Sequence, residues 1–242
     1  MARVCVDSTY FNVDDTGQLT LKPGSVGYQT TITVSYLVPL NFQIADYPGA
    51  AWVFVECIGG GGGGAGAQDT SGTTGIAQGG GSGGTYCASW LEASSLPPIV
   101  PVAGGNGGTG GTFNAAGANG GDSTFGTLVV GPGGVGATVQ MLASSTSGIG
   151  KGAVSGAVGT GQIRRQGQPG GSAVLVTAFH KIGGDGGASG WPGAGGKGAA
   201  NNENGGAGQT FAGGGGGGAA AFNGSWSGGS GGAGIVRISV YN

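Results

Sequence analysis

The chain offers little to acid–base or metal chemistry. It has one histidine, His180, and ten carboxylates scattered through 242 residues. A lone histidine cannot build a histidine metal cluster, and no carboxylate flanks it to make it a base. A structural role at a strand end is expected for it. Among 65 glycines, matches to G-x-G-x-x-G are inevitable and carry no information. A phosphate loop needs Gly-Lys followed by Ser or Thr, but Gly196-Lys197 is followed by Gly198. GGDGG at 183–187 puts Asp185 third, where a calcium nonapeptide needs it sixth. No local carboxylate pair suggests a glycosidase. An enzyme is therefore not expected, nor is a cofactor or a metal. What stands out is the placing of aromatic and amide groups among glycines. Such side chains grip sugars or protein surfaces with little entropic loss. Trp191, Asn201, Asn202, Asn204, Phe222, Asn223 and Trp226 are accordingly the candidate recognition residues. The competing expectation is that Trp191 and Trp226 plug the ends of a glycine scaffold. Trp90 is expected to pack under a loop.

These residues need a scaffold, and the glycines around them keep a period. In GGDGGASGWPGAGGKGA (183–199), positions 184, 187, 190, 193 and 196 are all Gly. A second column at 183, 186, 195 and 198 is also Gly, and the third reads Asp185, Ala188, Trp191, Ala194, Lys197. Gly-Gly-X triplets recur at 104–112 and 228–233, and unbroken glycine runs occupy 59–64 and 213–218. Three residues per turn is the polyproline II period, a helix without internal hydrogen bonds. A single glycine helix cannot persist in water, because ordering glycine costs the most backbone entropy and its polar groups lack partners. Packed side by side, such helices satisfy one another. Interior helices are then all-glycine, and rim helices turn X to solvent. The expectation is a bundle with 59–64 and 213–218 more interior than 104–112, and with Gly215→Val far more damaging than Asp185→Val.

Glycine-poor stretches read as strands: 4–6, 18–21, 30–38, 52–58, 86–91, 98–102, 125–130, 173–179 and 234–241. Strands 52–58 and 234–241 flank the glycine region and should pair. No helix signal exists at this glycine density. Residues 148–171 read as loop. The fold class expected is mainly β and polyglycine II, with little or no α-helix. A β-rich attachment or oligomerisation region spans 1–50, and a glycine-rich domain spans 51–242. Charged residues are 7% of the chain and the net charge is −2, which argues against nucleic-acid binding. No apolar run reaches a membrane span, and the N-terminus shows no export signal. Cys5, Cys57 and Cys87 are expected as buried free thiols.

Four stretches carry a family resemblance. DYPGAAWVFVECIGGGGGG (46–64), PIVPVAGGNGG (98–108), GGDSTFG (120–126) and GGSGGAGIVRISVY (228–241) occur in that order. Together they resemble the glycine-rich domain of bacteriophage tail-fibre and minor tail proteins, and nothing familiar appears at 137–182. In the similar tip adhesins of T-even-like phages, stacked polyglycine II helices present receptor-binding loops. The resemblance implies a virion tail protein, made in the host cytoplasm, that presents loops to a host cell-surface glycan or protein. It also implies other tail proteins as partners, and a homotrimer. Alternatives are a purely structural tail component or a glycine-repeat bacterial surface protein. A glycine-rich antifreeze protein fits less well, because the X positions are too irregular for an ice lattice.

Overall fold

A computed structural model describes residues 11–13, 19–21, 28–35, 38–70, 75–139, 148–177, 179–191, 193–209, 219–220 and 224–242. The fold among them is mainly β, as expected, and its helical content is the 3-10 turns Ile44–Asp46 and Ala93–Ser95. Two antiparallel sheets enclose the main apolar core. The first has the order Ile163–Arg165, Tyr86–Glu92, Trp52–Ile58, Ile235–Tyr241, Tyr28–Ser35. The second has the order Val129–Gly131, Ser123–Phe125, Val100–Ala103, Leu40–Phe42. Alternation along each strand sends one side chain in two into the gap. Val53, Val55, Cys57, Val236, Ile238 and Val240 enter from one sheet; Phe42, Val100, Val102, Phe125 and Val129 enter from the other. The expected pairing of the first and last strands of the glycine region is present, from Ile235 opposite Ile58 to Tyr241 opposite Trp52.

The sandwich strands do not stop at the glycines. Trp52–Ile58 runs into the tract 59–66, Val100–Ala103 into 104–112, and Val129–Gly131 into 132–137. Tracts 78–85, 115–122 and 227–234 lead into Tyr86–Glu92, Ser123–Phe125 and Ile235–Tyr241. Within 59–66 the direction of hydrogen bonding rotates with a period of three. The amides of Gly59, Gly62 and Ala65 donate to the carbonyls of Thr85, Ser82 and Gly79. Those of Gly60, Gly63 and Gly66 donate to Gly121, Ala118 and Ala115; those of Gly61 and Gly64 donate to Gly232 and Gly229. The carbonyls of Gly61 and Gly64 accept from Gly108 and Gly111, and those of Gly60 and Gly63 from Gly134 and Ala137. Gly49, Gly126 and Gly161 are the described glycines with positive φ, so the tracts lie on the polyproline side. This is a packed polyglycine II bundle.

Close approach, rather than conformational freedom, demands glycine here. A Cβ added at Gly60 would lie 2.0 Å from the Asn106 carbonyl oxygen, and one at Gly63 would lie 2.1 Å from that of Thr109. Tract 59–66 is buried throughout, whereas 104–112 repeats half-buried, buried, exposed, with Asn106, Thr109 and Thr112 outward. The interior and rim positions expected for these two tracts are both present. Tract 213–218, and with it Gly215, lies outside the described residues, as does strand 4–6.

Some expectations need correction. Residues 78–85 form a second enclosed helix that the all-glycine criterion overlooked, because Ser82 interrupts the run. Its side chain is accommodated by accepting the Val135 amide at 2.7 Å. Residues 125–130 are two strands, since Gly126 at φ 52° reverses the chain between them. Residues 148–171 are not loop: they hold the strands Gly148–Gly150 and Ile163–Arg165, with glycine tracts beside both. There Gly152 and Gly167 face the Gly170 and Gly83 carbonyls as closely as the bundle's interior glycines face theirs. A boundary at residue 50 passes through both sheets, because Tyr28–Ser35 and Leu40–Phe42 each pair with strands that follow it.

Candidate functional site

At the end of the bundle remote from the sandwich, the glycine tracts give way to segments that carry side chains. Ala67–Asp69 pairs with Gly224–Trp226, and Ile76–Ala77 pairs with Ala219–Ala220. Gly148–Gly150, Ala173–Thr177 and His180–Ile182 form a three-stranded sheet. Its register separates two faces. Gly148, Leu175 and Lys181 lie in one row, and Leu175 and Lys181 are each 2% exposed. Ile149, Val174 and Ile182 form the adjacent row and are all exposed, together with Val176 and Phe179. The polarity is inverted: a lysine faces inward and aliphatic side chains face out.

Burying an ammonium is costly without compensating charge. Desolvation lowers the Lys181 pKa, and the Asp69 carboxylate pulls it back up. Asp69 and Gln78 are buried at the same end. Beside Asp69, a cavity of about 260 Å³ is lined by Asp69, Thr70, Gly224 and Ser225. The hairpin carrying Phe179 is tied by Thr177, whose hydroxyl accepts the amides of Phe179 and His180 and contacts His180 Nδ1 at 3.1 Å. His180 thus begins a strand. Among the described residues no cluster of His, Cys, Asp or Glu could hold a metal ion.

The sequence candidates do not converge. Trp191 sits at the sandwich end, where it stacks on Tyr86 with ring centroids 4.9 Å apart. The tract from Gly193 to Ala199 rises about 19 Å at the polyproline pitch and carries Asn201 away from Trp191. Asn201, Asn202 and Asn204 are exposed at the distal end, but two of their amides brace the backbone. Asn201 Oδ1 accepts the Lys181 amide and Asn204 Oδ1 accepts the Ser227 amide, each at 2.8 Å. Asp122, Asn119 and Asp185 do the same for Gly133, Gly136 and Gly198. A rim helix lacks a neighbour on one side, and these oxygens satisfy the amides left over. Trp226 is half-buried against Ala67 and Ile76, and its enclosed indole N–H has no hydrogen-bond partner among the described residues. Phe222 and Asn223 lie outside the described residues. The aliphatic row was missed because AVLVT alternates like any half-buried strand. Shifting the register by one residue exchanges the two faces, and only the pairing fixes which is outside.

A β-sandwich whose strands continue into a polyglycine II bundle defines a glycine-rich scaffold domain. The sequence profile of the glycine-rich domain family matches residues 39–241, and the chain belongs to that family. No curated protein sequence matches it significantly.

Proposed function

We propose that the protein is a bacteriophage tail component, a tip adhesin or minor tail protein, whose bundle holds the distal segments against a host cell-surface glycan or protein. The observation that carries this reading is the outward row Ile149, Val174 and Ile182, with Val176 and Phe179 beside it, at the end of a rigid scaffold. Exposed apolar groups gathered in one patch mark an interaction site, and rigid scaffolds position such sites. A purely structural tail role is the second reading. It is favoured by the use of Asn201 and Asn204 as backbone braces and by the packing of Trp226.

Adsorption of the purified chain to whole candidate host cells separates the two. Replacing Ile149, Val174 and Ile182 together with Thr should reduce adsorption at least about ten-fold and leave the melting temperature within a few degrees, because all three are exposed. Adsorption that survives the triple substitution overturns the recognition role of this face.

A further inference from the structure

The outer face of the five-stranded sheet collects aromatic side chains that the distal site does not use. Alternation puts Tyr86, Trp90 and Glu92 on this face, beside Phe54, Glu56 and Trp52 on the next strand. Arg237, Ser239 and Tyr241 follow on the strand beyond, and Arg165 lies on the other edge opposite Tyr86. Of the chain's four tryptophans, three lie on or over this face: Trp52, Trp90 and Trp191 are 42%, 43% and 38% exposed. They are pinned. Trp90 packs on Phe54 at 4.7 Å and on Tyr241 at 5.0 Å between centroids. The Gln162 side chain brackets the backbone of Trp90, accepting its amide and donating to its carbonyl, both at 3.0 Å. Trp191 stacks on Tyr86, and Ser189 donates to its carbonyl.

The centre of the face is charged. Glu56 accepts from Tyr86 at 3.0 Å and from Arg237 at 2.5 Å, and the Arg237 side chain is 49% exposed, leaving donors toward solvent. Thr31 and Ser239 hydroxyls meet beside it at 2.9 Å. Tyr86 and Trp90 are four residues apart on one strand, about 13 Å. The result is two aromatic platforms with an ion pair in the row between them and a pair of hydroxyls in the Trp90 row. Protein interfaces deplete charge from their centre, and this face places it there. Sugars match it: their C–H faces stack on the electron-rich ring face, and their hydroxyls accept hydrogen bonds from the exposed Arg237 guanidinium, which Glu56 holds in place from beneath. Arg165 is exposed and has no ion-pair partner among the described residues, so the Tyr86 end complements an anion.

We infer that this face binds a linear glycan lying along the strands, stacked on Trp90 and Trp191, hydrogen-bonded by Arg237, and carrying carboxylates toward Arg165. The inference goes beyond the tail reading and does not rest on it. Tryptophan fluorescence of the full chain, titrated with mannuronate, galacturonate, cello- and chito-hexasaccharides, tests it. At least one acidic hexamer should quench and bind more tightly than the neutral ones. Trp90→Ala and Trp191→Ala should each weaken binding about ten-fold with circular dichroism unchanged, whereas Trp90→Phe should restore much of it. Arg165→Gln should weaken only the acidic probes, and Phe179→Ser at the distal end should change nothing. Failure of the whole panel, or binding that survives both tryptophan substitutions, overturns the site. Preference for neutral hexamers overturns the role of Arg165. A face occupied by a second copy would show as a mass that falls on Trp90→Ala without glycan binding, and this also overturns the inference.

Discussion

At the scale of single residues, the bundle is a set of backbone contacts that admit no Cβ. Gly63 shows the severity: a methyl there meets the Thr109 carbonyl oxygen at 2.1 Å, and both groups belong to backbone that cannot swing away. Gly63→Ala should therefore cost about 4 kcal/mol or prevent folding, measured by denaturant unfolding. Asp185→Val, at an exposed X position, should cost only the bond its carboxylate makes to the Gly198 amide, about 1 kcal/mol. Titration gives a second prediction. Cys57 and Cys87 are free, buried and directly opposed across two strands, and burial raises both thiol pKa values. Burial and the Glu56 hydrogen bond raise Tyr86 likewise. These acids are folded neutral, so their contribution is complete below the unfolded-state pKa and is lost as pH rises through it. Lys181, lowered by desolvation, works in the opposite direction. With three groups against one, stability should fall as pH climbs from about 8.5, the ordinary thiol value, past about 10, that of tyrosine. A flat melting temperature across that window would refute this.

At the scale of elements, the strand and the polyglycine helix are one continuous device with a changed rotation. Along Trp52–Ile58 the polar backbone points alternately to two neighbours; along 59–66 it turns through three. The change needs glycine, because only without Cβ can a third neighbour come close. This is why the period of three was legible in the sequence, as was the pairing of 52–58 with 234–241. Less legible were 78–85, where a serine hides an interior helix, and 152–171, where rim positions accept Ala, Val and Ser and blur the period. The distal sheet was legible as a strand but not as a face, since its inward lysine contradicts the rule that charges point out. The central strand is also tied to its neighbour by the Glu56–Arg237 pair. Its carboxylate is 6% exposed and its guanidinium 49%. Arg237→Ala strands a buried carboxylate and should cost about 2 kcal/mol, below the figure for a fully buried pair because the arginine is half in water. Adding Glu56→Gln should recover most of that loss, and a double-mutant cycle in denaturant measures the coupling. Additive losses would mean that the pair contributes nothing beyond its separate parts.

At the scale of the whole molecule, the two ends differ in chemistry. The distal end turns Ile149, Val174 and Ile182 outward; among the described residues, Tyr28–Ser35 and Leu40–Phe42, both from the glycine-poor N-terminal segment, are edge strands of the two sandwich sheets. An edge strand offers unpaired amides and carbonyls to any strand that approaches, and natural edges are usually blunted by charge or proline. Tyr28–Ser35 reads YQTTITVS, with neither. It is also eight residues long, against three for Ile163–Arg165 at the opposite edge of the same sheet. We propose that the chain self-associates through this edge, and the proposed tail role would make the assembly a homotrimer. Multi-angle light scattering of the full chain at micromolar concentration should accordingly return three times the 22.7 kDa chain mass. Thr31→Lys with Thr33→Lys places two like charges along the edge at exposed positions. The substitutions remove the Thr31–Ser239 hydroxyl contact but no apolar core side chain, so the double variant should keep its circular dichroism and melt as a monomer. A monomeric mass for the unsubstituted chain rules the trimer out, and a trimer indifferent to both lysines places the contact on another surface.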